Sequence, residues 1–553
     1  MKKLIKLISI KEWRFIIALS AATVILTGLP YVFGFLTSPP DAVYNGLHAL
    51  SPGDIPVYYS YINQVRSGDF FVKNLFTSEP QAIGTFNAWW FLVGIFAEFF
   101  NLPTILAFQL FRLLLIPVFV VTAYLFIVFF FKEEIKRKVC LIFLLFSGGI
   151  GFYFSGIVDR LDILDQVSYS WPIDLWLTES NTFNILYQTS HFIASITLTI
   201  WIFLLMILAF RLDKVSYAVI SGFLGLFYFN FHPYYFPAVF GVLGLYLFVL
   251  MIQKSKFLWR GASYLLLAFT ISLPSALYHF YLIAKSPVIG QRALQNVTEI
   301  SPPIFVLLGY GFLVAGFFLG LYFLFRNKKF NTGHVFLVIW LLVNLGLVYS
   351  DFPFHSRYTQ GINVVLVIFT VIGLFSLRDL LEIRLKPKVF DFWVNNPALL
   401  FLLFIFVFGT ASLYSLSRDY YYFYFKPGQT YDSLYLSQDF MAAMSWLSDK
   451  PKSEVVLGAP LPSYFIPAFS GHPVYAAHGH ETLFFYSKIV YVDNFFQTKS
   501  DQVRRNFLGR ESIKYLLYTK HEKKLGDFDP AGQDYLELVF DRPQAKLYRV
   551  TLD

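Results

Sequence analysis

The chain has 553 residues, of which 56% are hydrophobic and only 14% charged, with a mean hydropathy of +0.57. Such a composition is far more apolar than a soluble globular average and places most of the chain in lipid. The formal net charge of +9 is spread over short connectors and one C-terminal stretch rather than packed into a stripe. That distribution speaks against a nucleic-acid partner and for loop charge that sets membrane topology. Cys140 is the single cysteine, so no internal disulfide and no cysteine-based metal site can form.

The first apolar block, Trp13 to Leu36, is too long for a secretory signal peptide and lacks a small-residue cleavage site, so it reads as a retained signal anchor. Further blocks long enough to cross a bilayer lie at 104–131, 138–157, 191–211, 215–231, 234–252, 260–284, 303–325, 332–349, 359–377 and 398–417. Residues 87–100 are apolar but short, as an interfacial or re-entrant helix would be. The expected fold is therefore an all-α polytopic membrane bundle of about 11–13 transmembrane helices.

Positive residues cluster at Lys2 to Arg14, Lys132 to Lys138, Arg211 and Lys214, Lys254 to Arg260, Arg326 to Lys329 and Arg378 to Lys388. By the positive-inside rule these ends are cytoplasmic, in a cell membrane, with the N-terminus inside. The segments at 37–85, 158–190, 230–235, 285–303 and 350–358, and everything after about 419, then lie outside. From Tyr431 the composition becomes globular. Strands are expected at Glu454–Leu457, Pro473–Tyr475, Ile513–Tyr518, Leu536–Phe540 and Lys546–Val550, with helices at 435–448 and 481–498. Residues 1–425 thus form a transmembrane domain with a first outer loop at 37–85. Residues 426–553 form an extracytoplasmic α/β domain without a Gly-rich nucleotide fingerprint.

Ionisable residues gather on the outer face under this topology: Asp54, Glu79, Asp159, Asp162, Asp165, His191, His232, His355 and Arg357. Groups of this kind at membrane depth usually line a water-filled site. The plain alternative is that outer loops are longer and collect polar residues. Arg112 stands alone in an apolar run, either facing a cavity or held in a structural contact.

Several short segments carry a resemblance. The first loop runs Asp54-x-Pro56-Val57-Tyr58-x-Ser60-Tyr61-Ile62-x-Gln64 and then Phe76-Thr77-x-Glu79-Pro80, with Arg112 in the following helix. Later come His355-Ser356-Arg357-Tyr358-Thr359-Gln360-Gly361, Gly471-His472-Pro473-Val474-Tyr475 and His480-Glu481-Thr482. With an inside N-terminus and an outer C-terminal domain, the arrangement resembles the GT-C superfamily of polyprenyl-phosphate-sugar-dependent glycosyltransferases, which includes protein O-mannosyltransferases and aminoarabinose transferases. Many relatives carry an acidic doublet where Ile55 follows Asp54 here, which weakens any inference of a bound divalent metal.

The resemblance implies an inverting transfer of a sugar from a polyprenyl-phosphate donor to a lipid, glycan or protein acceptor at the outer face. It assigns Asp54 as general base, and Arg357, Arg112 and His355 to the donor phosphate. Tyr58, Tyr61, Gln64, Glu79, Gln81, His232, Tyr234, His480 and Glu481 are candidate substrate contacts. No cofactor and no metal ligand set is expected; His478, His480 and Glu481 lack a clear further protein ligand for zinc. The rival class is a transporter or flippase, although the chain shows no internal repeat.

Overall fold

The computed structural model describes residues 2–49, 53–155, 171–296, 298–352, 354–384 and 396–552. Asp159, Asp162 and Asp165 lie outside the described residues. The remainder is a helical bundle joined to a small sheet domain.

Among the described residues six helices are long and apolar enough to cross a membrane: Ile10–Leu36, Thr104–Val128, Ser190–Leu212, Tyr235–Gln253, Trp259–Lys285 and His355–Ile383. Two bent pairs raise the number to eight. Val215–Phe231, Thr332–Val348 and Ala88–Phe99 are shorter apolar helices.

Four expected elements differ, the block 398–417 among them, bent by 79° between Pro397–Phe408 and Thr410–Phe425. The block 138–157 is not one span: a helix runs Glu134–Phe146 and stops at Ser147, because Gly148 donates its N–H to Phe408 O (2.8 Å) and Ile150 to Leu308 O (2.9 Å). The block 303–325 bends by 75° between Pro303–Tyr310 and Phe312–Arg326. At that bend Gly311 has φ 49° and ψ −128°, a conformation that only glycine adopts without strain. Finally, the first loop is not irregular throughout, since Ile55–Arg66 is a helix with Pro56 in its first turn.

The C-terminal sheet has the order β3-β4-β6-β5, with β3 Val455–Leu457, β4 Ile513–Tyr518, β5 Leu536–Asp541 and β6 Lys546–Val550. β3 and β4 are parallel, whereas β6 is antiparallel to both β4 and β5. The expected strand at Pro473–Tyr475 is reduced to a single bridge from Val474 to Val456. Two short strands, β1 Ala42–Tyr44 and β2 Tyr435–Ser437, pair antiparallel and tie the segment after the first long helix to this domain. Across the same seam Val474 N–H donates to Leu75 O (2.9 Å) and Thr482 Oγ1 to Phe76 O (2.6 Å).

Candidate active site

Asp54 occupies the N-cap position of Ile55–Arg66, yet its side chain makes no capping bond. It accepts instead from His478 Nε2 at 3.2 Å. His478 is fully buried and stacked on Tyr464 with ring centroids 5.1 Å apart. Its Nδ1 accepts the backbone N–H of His480 (3.0 Å) and of Glu481 (3.2 Å). Two donors aimed at Nδ1 place the ring proton on Nε2, so the imidazole is set as a donor to the carboxylate. Burial alone would push the Asp54 carboxyl up. The His478 hydrogen bond and the nearby Arg357 guanidinium outweigh that penalty and hold it well below the usual carboxylate range. Although surrounded by protein, 46% of the Asp54 side chain stays accessible, because it faces an open cavity.

That cavity has a volume of about 270 Å³ and is lined by residues of the first loop, by residues at helix ends such as His191 and His232, and by Glu481 of the C-terminal domain. One wall is aromatic: Tyr58 stacks on Trp90 at 4.5 Å, and His191 meets Tyr58 edge-on at 4.7 Å. His191 and His232 lie 5.1 Å apart, and the Nδ1 of each has no hydrogen-bond partner among the described residues. Arg357 enters from the 3₁₀ turn His355–Thr359, its Nη1 donating to both oxygens of the buried Glu179 at 2.9 and 3.1 Å. The cavity is also lined by a second guanidinium, Arg292 of the helix Pro287–Gln295, paired with Glu481 at 2.6 Å. Burial works against that guanidinium, but Glu481, Tyr61 and Asp54 keep it firmly protonated.

Of the residues expected from sequence, Asp54, Tyr58, Tyr61, Gln81, His232, Tyr234, Arg357 and Glu481 line this cavity. The others do not, each for an identifiable reason. Arg112 is completely buried and donates to Gln109 Oε1 (2.9 Å), Leu186 O (2.9 Å) and Thr27 O (3.1 Å), so its guanidinium is committed to holding helices together. His355 Nδ1 lies 3.1 Å from Ser350 O. Gln64 braces the loop through both backbone groups of Lys73. Glu79 is paired with Lys488 at 2.7 Å, and His480 packs beside His478 with ring centroids 6.2 Å apart. Among the described residues no three His, Cys, Asp or Glu side chains are grouped to hold a metal ion.

Sequence reasoning did not assign His478, Glu179 or Arg292 to the site. Arg292 was signalled by its place in a polar, helix-forming stretch between two apolar blocks. The other two are identified only by contacts across the folded chain.

No protein-family model matches the chain, and no curated protein matches it significantly in sequence. Solved structures do match. The Archaeoglobus fulgidus oligosaccharyltransferase, tethered with an acceptor peptide, superposes with a TM-score of 0.55 at 12% identity, covering 90% of this chain and 69% of its own. ArnT from Cupriavidus metallidurans, bound to undecaprenyl phosphate, gives 0.51 at 11% identity over 96% of this chain and 98% of its own. The mycobacterial arabinofuranosyltransferase AftD gives 0.51 at 12% identity over 98% of this chain and 42% of its own. All three are GT-C glycosyltransferases, and the likeness extends through the membrane bundle and the C-terminal domain.

Proposed function

On the fold shared with these GT-C enzymes, we propose that the chain is a membrane glycosyltransferase that moves a sugar from a polyprenyl-phosphate donor to a hydroxyl acceptor. The observation that carries this reading is the convergence of Asp54 and Arg357, far apart in sequence, on one open cavity. The acceptor oxygen attacks the anomeric carbon from the face opposite the phosphate, inverting it. The new C–O bond forms as the bond to the phosphate oxygen breaks, the acceptor proton passes to Asp54, and the polyprenyl phosphate leaves with the bonding pair.

Each group has a fitting task. His478 holds one Asp54 oxygen, which leaves the other to take the proton. Arg357 keeps N–H groups beyond the Nη1 that Glu179 occupies, and its planar fork suits the phosphate on which charge develops. The stacked Tyr58 and Trp90 present an aromatic wall for a sugar ring, and the His191 and His232 nitrogens are placed for its hydroxyls. Membrane lipids surround the bundle, and the donor enters from them.

The test is transfer of radiolabel from a panel of polyprenyl-phosphate sugars, comparing wild type with Asp54→Asn. A positioned base contributes about 10²–10⁴ in rate, so turnover should fall by that factor with the melting temperature unchanged. Full activity in Asp54→Asn removes the base assignment. Movement of the lipid across the bilayer without label transfer favours the flippase reading instead.

A further inference from the structure

The transfer described above gives no task to one polar pair of the cavity, Arg292 and Glu481, which lie 2.6 Å apart. We propose that this pair reads the acceptor, and that the acceptor is a neutral saccharide whose neighbouring hydroxyls bridge the guanidinium and the carboxylate. The inference rests on the transferase reading and narrows it to one acceptor class.

Position is the first support. Glu481 donates its backbone N–H to His478 Nδ1 at 3.2 Å, and the other nitrogen of that ring holds Asp54 at 3.2 Å. One imidazole thus separates the Glu481 backbone from the carboxylate that takes the acceptor proton. Arg292 reaches the same helix as the base: its Nη1 lies 3.5 Å from the hydroxyl of Tyr61, two turns along the helix that Asp54 opens. The contacts of Arg357, with Glu179 and the Phe192 ring, involve none of these residues. In an inverting transfer the acceptor arrives beside the base and opposite the phosphate, which is where the pair stands.

Rigidity is the second. The Glu481 carbonyl accepts from Asn74 Nδ2 at 2.8 Å, and Gln81 in turn holds Asn74 by both backbone groups, at 2.9 and 2.7 Å. Glu481 is therefore fixed through its N–H and its C=O before any substrate binds. Its Oε1 is taken by Arg292, whereas Oε2 accepts no hydrogen bond among the described residues. A buried carboxylate oxygen calls for a donor. Arg292 leaves 31% of its side chain accessible and has more N–H groups than Glu481 and Tyr61 engage.

Chemistry is the third. A hydroxyl both donates and accepts, so one can donate to Glu481 Oε2 while its neighbour accepts from Arg292. The reacting hydroxyl itself is committed to Asp54. A peptide serine or threonine, or a prenol, brings that hydroxyl alone and leaves the pair unmet; a sugar ring brings others beside it. Charge narrows the class further. Two carboxylates, Asp54 and Glu481, stand here against one guanidinium, so an acidic sugar is repelled, and an amino sugar would draw its ammonium onto the base.

The test is an acceptor panel with the full chain in micelles of a sugar-free detergent and a labelled polyprenyl-phosphate donor. The acceptors are octyl glucoside, galactoside and mannoside, octyl glucuronide, a Ser/Thr peptide and a short prenol. Label should enter a neutral glycoside, and the glucuronide about tenfold or more slowly. Glu481→Gln removes the charge at nearly constant shape, and Arg292→Lys keeps the charge without the planar fork. Each should raise the glycoside KM about tenfold to a hundredfold at unchanged donor KM, a split that misfolding would not produce. Equal glycoside KM in wild type and both variants overturns the residue assignment. Label that prefers the peptide or the prenol to every glycoside overturns the acceptor class. Hydrolysis of the donor with no glycoside labelled does the same and leaves the transferase reading standing. A donor left untouched by wild type counts against that reading, and the acceptor assignment falls with it.

Discussion

An aspartate at a helix N-cap ordinarily accepts from the backbone of its own first turn. Asp54 does not, and the departure points to chemistry, because the side chain is turned to a buried histidine 424 residues away in sequence. His478 never touches the cavity's contents and acts only through Asp54, as a positioning residue. His478→Ala should lower kcat about tenfold to a hundredfold with little change in donor KM. It should also move the acid limb of the rate profile. The base must be ionised, so activity falls as pH drops through its pKa, which in wild type lies below the usual carboxylate range; without the hydrogen bond that limb shifts upward. A lower kcat with an unmoved acid limb would leave His478 a merely structural role. The two arginines diverge in the same way. Arg357→Gln should raise donor KM at unchanged melting temperature. Arg112→Met should leave KM alone and cost about 1–2 kcal/mol of stability, since hydrogen bonds between membrane helices average about 0.6 kcal/mol each. A raised KM in Arg112→Met would return that residue to the site.

At the scale of elements, the apolar blocks were legible in sequence because each long run of Leu, Ile, Val and Phe needs lipid or a buried face. Their breaks were not, because a bend inside an apolar run leaves the hydropathy nearly unchanged. Gly148-Gly149 and Gly311 were the available signals, and hydropathy passes over glycine. The first-loop helix was hidden for the opposite reason: Tyr58, Tyr59, Ser60 and Tyr61 read as polar and aromatic although most of that face is buried. Asp54 and Arg357 were legible as ionisable groups beside apolar spans, whereas the contacts that position them are set by packing alone. The bend yields a prediction of its own. Gly311→Ala forces a side chain into a glycine-only conformation with the nearest Ile150 atoms 3.0 Å from its Cβ, and should cost about 1–3 kcal/mol. Gly346, inside Thr332–Val348 with nothing within 4 Å of an added Cβ, is the control: alanine there should gain about 0.5–1 kcal/mol of helix stability. Equal effects in thermal unfolding would mean that the bend carries no strain requirement.

At the scale of the whole molecule, the C-terminal domain contributes Glu481 to the cavity wall and is tied to the rest by hydrogen bonds. Asn63 Nδ2 donates to Ala468 O at 2.6 Å, Asn74 Nδ2 to Glu481 O at 2.8 Å, and Gln295 Nε2 to Thr482 O at 2.7 Å. First loop, the helix Pro287–Gln295 and the C-terminal domain thereby share one set of hydrogen bonds, and bundle and domain should unfold in one transition rather than two. The seam also contributes to acid sensitivity. Burial, opposed by Asp54 and reinforced by Arg357 and Arg292, lowers the His480 ring from 6.5 to about 4. A base whose pKa is depressed in the folded state binds fewer protons folded than unfolded. Its contribution is complete above pH 6.5 and is lost as pH falls from there toward 4. The wild-type melting temperature should therefore drop between pH 6.5 and 5, and His480→Gln, which cannot titrate, should flatten that drop. Parallel losses in the two proteins would move the acid sensitivity away from the seam.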